Sequence, residues 1–491
     1  MRSSFPKRYL IYMAGRTTRL LLGMLPELFR IQGDSIEKIV FVIGDLAHYR
    51  WAKEQTVDPR VHLEYQHEHL DPFRRPSQLN MRALARFEER YGAPNLWRYI
   101  EAQRIIDGLP YERKLRYLQT YLEYFDRLWE RHQPDAFISG TPDSLPFLMV
   151  EEVFKRNGSL PLILIPSRIP GAFHVVDNEM EQIPFLKESY QEMSRQGLTD
   201  QERARAESTR NAYRVERRRP SYFGRGSQVR AMPSPGHLLK TYAKRMSSQD
   251  DYFRLPLRDE IPNSLKIRAR WPLQAYQVKR LAVTLPKGER FFYYPLHYEP
   301  EFSIDILGGF RDQLQLIERI CSALPADHRL YIKEHPNMFI GKRPLGFFKR
   351  LAKISKVRII DPRTDGYSLI SECRGIATIA GTTAFEGLFY GKPTILFGRA
   401  FYEVFSEGVH RAGSYESTVK AFSEAADRDG FSQEKLDQFV AALHQRSYEG
   451  RFEFTIPGIE EPDNLAALAQ GVASELKFRM EKGLDAAAVP A

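Results

Sequence analysis

The stretch from Leu330 to Gly398 most constrains what this chain can fold into, because short apolar runs alternate there with segments of helical length. Leu330 to Ile332, Val357 to Ile360, Ile376 to Ala380 and Thr394 to Phe397 read as buried strands. Asp365 to Cys373 and Thr382 to Tyr390 fill the intervals between the last three with enough chain for helices. That alternation is half of a doubly wound parallel sheet, and such sheets take their ligands at the carboxyl ends of their strands. Lys333-Glu334-His335-Pro336 stands at one such end and Gly381-Thr382-Thr383 at another.

These residue types suit an anion. A glycine at 381 lets a ligand approach the backbone, and the free amides of a helix opening at Thr382 or Thr383 point the positive end of its dipole outward. Lys333 adds a point charge and His335 a donor, with Pro336 stiffening the turn between them. Glu386 has two readings. It completes a capping box with Thr383, or it accepts hydrogen bonds from a ligand. A His-Pro pair is also a common surface turn, so the anion reading rests on the two loops converging.

A chain of 491 residues with 43% hydrophobic content can bury two cores, which predicts two domains. Its two cysteines, Cys321 and Cys373, supply neither a disulfide framework nor a metal-ligand pair and point to a reducing, cytoplasmic setting. The net charge of +10 calls for an acidic partner: nucleic acid, anionic lipid or a phosphorylated substrate.

The chain divides as follows. Residues 1–30 carry six basic side chains against the single acid Glu27, interleaved with apolar residues. They read as a basic amphipathic stretch for an anionic membrane surface, an ordinary packed helix or a transit peptide. Residues 31–186 read as a first Rossmann-like domain, with strands at Ile39 to Ile43, Ala136 to Ile138 and Leu162 to Ile165. Its strand ends carry Asp45, His48 and Asp143, any of which could face a cleft or cap a helix. Arg168 and His174 follow the next strand. Residues 187–286 read as a basic interdomain segment, in which Glu202 to Arg230 holds nine arginines against three glutamates. No nucleic-acid recognition element accompanies that charge. Residues 287–420 form the second Rossmann-like domain, opening on the aromatic strand Phe291 to Pro295, with His297 just beyond its end. Residues 421–482 read as C-terminal helices and 483–491 as a tail.

Two Rossmann-like domains facing a cleft, with C-terminal closing helices, resemble a GT-B glycosyltransferase. Tyr294-Pro295-Leu296-His297-Tyr298-Glu299-Pro300-Glu301, Lys333-Glu334-His335-Pro336, Gly381-Thr382-Thr383-Ala384-Phe385-Glu386-Gly387 and Gly391-Lys392-Pro393 resemble the bacterial capsule polysaccharide biosynthesis family, which includes transferases of the acidic sugar Kdo. The resemblance spans Phe291 to Tyr402 and implies a transferase that moves a sugar, Kdo or another acidic one from a CMP donor, to a glycan or lipid-linked acceptor. It implies that His335 holds the donor phosphate, that Thr382 and Thr383 add donors, and that Glu386 meets the ribose. With a single donor phosphate it implies no metal and no other cofactor. The Gln-x-Glu-Asp signature of the retaining Kdo enzymes is absent, so neither the stereochemical course nor the sugar is implied. An acceptor base must come from the first domain, where Asp143 is the leading candidate, followed by His48 and Asp45. The alternatives are a sugar-nucleotide epimerase of similar fold and a catalytically silent assembly or export protein.

Overall fold

The computed structural model describes residues 5–482 apart from 92–94, 142, 179–181, 219–233, 248–256, 286–287, 300, 311, 336–337, 339–341, 429 and 453–457. The strands are β1 (Arg8–Met13), β2 (Lys38–Ile43), β3 (Val61–Tyr65), β4 (Ala136–Ser139), β5 (Leu160–Pro166), β6 (Ala172–Val176), β7 (Arg290–Pro295), β8 (His328–Lys333), β9 (Val357–Ile360), β10 (Gly375–Thr378), β11 (Thr394–Leu396), β12 (Val409–Arg411) and β13 (Tyr448–Glu449). They form two α/β units. The first comprises Met1–Pro184, Gly236–Leu257 and Arg446–Ala491; the second comprises Phe185–Pro235 and Arg258–Gln445.

The first sheet runs β13-β6-β5-β4-β1-β2-β3, with β1 to β5 parallel, β6 antiparallel to β5 and β13 antiparallel to β6. The second runs β12-β11-β10-β7-β8-β9 and is wholly parallel. Counted within its own unit, that is the 3-2-1-4-5-6 order of a dinucleotide-binding fold, with the change of winding direction between β7 and β10. Both sheets therefore have Rossmann-like parallel cores. Burial on both faces explains why β2, Lys-Ile-Val-Phe-Val-Ile, is apolar from Ile39 on rather than alternating.

The amino terminus differs from the sequence reading. The span 1–30, expected as an amphipathic stretch, contains β1, whose Tyr9 to Met13 are buried between β2 and β4. The helices Thr17–Gly23 and Leu25–Gln32 then bury Leu20, Leu21, Leu25 and Leu28. The apolar residues that suggested a membrane-seeking face are core. Of the arginines that interrupt the apolar pattern, Arg16 precedes the first helix and Arg19 lies within it, both beyond the strand.

The span 187–286 is shared between the units rather than standing apart. Its helix Asp200–Arg214 opens with a capping box from Thr199 and Glu202 and buries Ala206, Thr209, Ala212 and Tyr213. Tyr213 stacks on Phe389 at 4.7 Å, and Arg210 donates to Asp437 at 2.7 Å, so one face of this basic helix is packed. Arg203, Arg205 and Arg214 remain exposed. The end of the arginine run, from Arg219 on, and the tail 483–491 lie outside the described residues.

The helices Tyr415–Asp427 and Gln433–Gln445 belong to the second unit, whereas Pro462–Glu481 belongs to the first. A fully buried carboxylate anchors that last helix. Glu475 accepts from Arg446 and from Arg479, each at 2.7 Å, and from the Tyr448 hydroxyl. Arg479 also donates to the carbonyls of Pro161 in β5 and Val175 in β6, and Arg446 to that of Pro184. Removing one member of a buried ion cluster strands its partners' charge at a cost of about 3–5 kcal/mol. Glu475→Ala is therefore expected to lower the denaturant midpoint of the first unit by that measure. A parental midpoint by circular dichroism would show the cluster to be dispensable.

Candidate functional site

The carboxyl ends of β7, β8 and β10 lie side by side, and β7 to β10 is where the winding changes. That is where open parallel sheets leave a crevice. Three side chains shape it: Arg343, which the sequence reading missed, and Glu299 and Glu334, which it named within motifs but gave no role. Arg343 is fully buried. Its Nε and Nη2 donate to the two carboxylate oxygens of Glu334 at 3.0 and 2.7 Å, and Nη2 also donates to the His297 carbonyl at 2.7 Å. Nη1 sits 2.9 Å from Glu299 Oε1 as an ion-pair contact without hydrogen-bond alignment. Gln313 completes the frame, accepting from the His297 amide at 2.9 Å and donating to Glu299. One guanidinium thus ties the loop after β7 to the loop after β8. No periodic signal marks Arg343, because it acts from a connecting segment nine residues beyond Glu334.

The residues expected at an anion site fall around this frame. Lys333 ends β8 and is buried; His335 is half-buried, with its ring 5.8 Å from that of Tyr298. Pro336 lies outside the described residues. His297 is buried against the end of β10, where its Nε2 is 3.1 Å from Thr378 Oγ1 and accepts from the Ile379 amide at 3.3 Å. Because Nε2 accepts that amide, the ring's proton belongs on Nδ1. Burial, then the charges of His335 and Arg343, push His297 down to about 3; burial, then Arg343 and Lys333, push His335 down to about 4. Both imidazoles are neutral at pH 7.

Gly381 precedes the helix Thr382–Leu388, as expected, but for another reason. A Cβ there would lie 2.8 Å from Thr378 Oγ1 and 3.2 Å from His297 Cε1, so the glycine makes room for the protein's own side chains. Its amide is already bonded to Thr378 Oγ1 at 3.0 Å and its carbonyl to the Tyr402 hydroxyl at 2.9 Å. The capping box expected of Thr383 and Glu386 is not formed. The cap position is Gly381, and Thr383 is already helical. Thr382, Thr383 and Glu386 are half-buried along the same turn-and-helix.

In the first unit, Asp45 caps the helix Leu46–Gln55 after β2. Its carboxylate accepts from the His48 amide at 2.9 Å and the Gly15 amide at 2.9 Å, and contacts His48 Nδ1 at 2.7 Å. Those bonds hold Asp45 below the usual carboxylate range against the opposing effect of burial. Asp143, beyond β4, is solvent-exposed, yet the surrounding protein crowds its carboxyl enough to raise it, against a hydrogen bond with Ser144. Asp45 and Asp143 therefore flank the end of β1 from opposite sides. His174 is buried, with Nδ1 3.0 Å from the Arg446 carbonyl, a packing role. Among the described residues no group of three or more His, Cys, Asp or Glu is placed to hold a metal ion.

Residues 241–446, which span the strand ends of the second unit, match the family of capsule polysaccharide biosynthesis proteins. The matched span includes His297, Lys333, His335, Arg343 and the Gly381 turn. Among solved structures, the chain is similar to the β-Kdo 2,7 transferase KpsC of Thermosulfurimonas dismutans, with 11% identity over 70% of this chain and 89% of that one, at a TM-score of 0.35. It is also similar to the UDP-GlcNAc 2-epimerase of Methanocaldococcus jannaschii, with 12% identity over 89% and 99% of the two chains, at a TM-score of 0.26. Likenesses this distant assign no residue. No curated protein matches the chain.

The neutral histidines make a pH prediction. Each binds a proton more weakly folded than unfolded, so stability is greatest above the ordinary value of 6.5 and is lost as pH falls below it towards the folded values of about 4 and about 3. His297→Asn is expected to narrow the gap between melting temperatures measured at about pH 7 and about pH 5. An unchanged gap would show that His297 does not govern this acid sensitivity.

Proposed function

We propose that the chain is a glycosyltransferase of surface polysaccharide biosynthesis, which binds a nucleotide-sugar donor in the matched region and takes its acceptor hydroxyl in the first unit. The observation that carries this reading is the buried Arg343–Glu334–Glu299 frame inside the matched region, which ties the end of β8, with Lys333 and His335, to the loop after β7. A lysine beside a neutral imidazole donor suits one phosphate, and Thr382 and Thr383, in the first turn of the helix after β10, would add hydroxyls. That supports a CMP donor carrying Kdo or another acidic sugar. Glu386 would serve the ribose, and Pro336 would stiffen the loop. His297 supports the site from behind, packed on Thr378. The acceptor is a glycan or a lipid-linked precursor.

A lipid-linked acceptor calls for contact with the inner face of an anionic membrane. No helix among the described residues is long and apolar enough to cross one. The long helix Leu257–Leu281 carries Ile261, Leu265, Leu273 and Tyr276 exposed, with Lys266, Lys279 and Arg280 exposed beside them. An apolar stripe with basic flanks suits a peripheral contact better than the buried β1 does.

Two measurements test this function. CMP is expected to raise the melting temperature more than UDP or GDP. His335→Ala should weaken CMP by the loss of one hydrogen bond to a charged group, about 1.5–3 kcal/mol or roughly ten- to a hundredfold, with the melting temperature of the free protein kept. Parental binding of all three nucleotides would remove the phosphate site from this loop. For the membrane, the full chain should co-sediment with phosphatidylglycerol vesicles at low salt and release as salt rises. The double variant Leu265→Ser, Tyr276→Ser should sediment less, and equal sedimentation would exclude this helix.

A further inference from the structure

We infer that a recess in the first unit, lined by Arg16, Arg19, His48 and Glu460, receives an acceptor bearing an anionic group, and that His48 rather than Asp143 takes the proton of its hydroxyl. This rests on the transferase reading and names the acceptor's chemical class. The recess has a volume of about 230 Å3 and lies beyond the carboxyl ends of β1 and β2.

The cationic wall is assembled by spacing. Arg16 and Arg19 fall three residues apart at the start of the helix Thr17–Gly23, on one side of it. His48 and Trp51 fall three apart on the helix Leu46–Gln55. The guanidinium of Arg19 lies over the Trp51 ring at 4.9 Å and reaches Glu460 at 3.8 Å, which fixes it across the recess. Arg16 has no ion-pair partner among the described residues and is exposed, so its charge is available. A planar guanidinium pairs with carboxylate or phosphate oxygens in two-point contacts, and this pair of cations outweighs the single Glu460.

His48 has the geometry of an oriented base. Its Nδ1 lies 2.7 Å from Asp45 Oδ1, and Asp45 is itself held by the amides of His48 and Gly15, so the carboxylate fixes both the ring's direction and its tautomer. With the Nδ1 proton given to Asp45, Nε2 carries the lone pair, and it has no hydrogen-bond partner among the described residues. Asp143 is held only by its own loop, its amide on the Thr141 carbonyl at 2.8 Å and its carboxyl against Ser144. In the step proposed, Nε2 accepts the hydroxyl proton while the hydroxyl oxygen bonds to the donor sugar's anomeric carbon. The bond from that carbon to the nucleotide's phosphate oxygen breaks, and the phosphate leaves with the electron pair. Asp45 is a positioning residue.

The experiment uses the full chain and two anionic probes, glycerol 1-phosphate and methyl glucuronide, against neutral methyl glucoside. Diethyl pyrocarbonate labels accessible neutral imidazoles, and peptide mass spectrometry reads the rate at His48. Either anion should slow labelling of His48, methyl glucoside should not, and Arg16→Gln should raise the protecting concentration about ten- to a hundredfold. Which anion protects at the lower concentration assigns the acidic group as phosphate or carboxylate. In a transfer assay with an acidic oligosaccharide acceptor, His48→Gln should lower kcat about a hundred- to ten-thousandfold with CMP affinity kept. Asp45→Asn still caps its helix, so it should lower kcat with little change in melting temperature or acceptor KM. CMP binding that depends on His335, combined with no protection by either anion, overturns the recess and leaves the transferase reading intact. Protection without any nucleotide binding overturns the donor site instead. Transfer that survives His48→Gln and is lost in Asp143→Asn overturns the assignment of the base.

Discussion

The second unit's crevice depends on one buried guanidinium. Removing Arg343 from water is costly, and two carboxylates and a carbonyl offset that cost only when they converge on it. Glu334 belongs to the loop after β8, Glu299 and the His297 carbonyl to the loop after β7. A cation satisfied by both loops cannot let either move alone. Backbone pairing ends at Pro295 and Lys333, and the leucine amide at 296 still reaches the Lys333 carbonyl at 2.9 Å. Beyond that point the ion cluster takes over from the sheet's ladder in holding the chain.

The same frame sets the electrostatics of the site. Burial first, and the Arg343 charge after it, keep the two imidazoles uncharged, so His297 acts as an acceptor within the core and His335 offers a single N–H. In the first unit His48 sits against the Asp45 carboxylate, which holds the ring by Nδ1. On the transferase proposal, neutral donors at one strand-end cluster and an oriented acceptor at the other would serve the two ends of moving a sugar from phosphate to hydroxyl.

Buried arginine–glutamate clusters recur where the chain must be held without a continuous sheet. Glu475 holds the last helix as Glu334 holds the loops: it collects Arg446 and Arg479, and Arg479 reaches on to backbone carbonyls of β5 and β6 while Arg446 reaches that of Pro184. In each case the charged pair gives direction to a segment that apolar packing alone would leave free to slide.

Much of the fold was legible because parallel strands covered on both faces leave unbroken apolar runs. Phe291 to Pro295, Leu330 to Ile332 and Val357 to Ile360 each fall within a strand of the second sheet. The loop residues Lys333, His335 and Gly381 were visible for the same reason, since they follow those runs. β1 was not legible, because the basic residues around it, Lys7 and Arg8 before its apolar run and Arg16 and Arg19 after it, made a central strand look like part of a basic amphipathic stretch. Tertiary structure alone decided the rest. It brought Arg343 to Glu334 across a connecting segment, packed Gly381 against Thr378 and His297, and joined Arg16 to His48 from separate helices. Sequence records the period of burial along one element, whereas these sites are made by side chains from elements that only the folded sheets bring together.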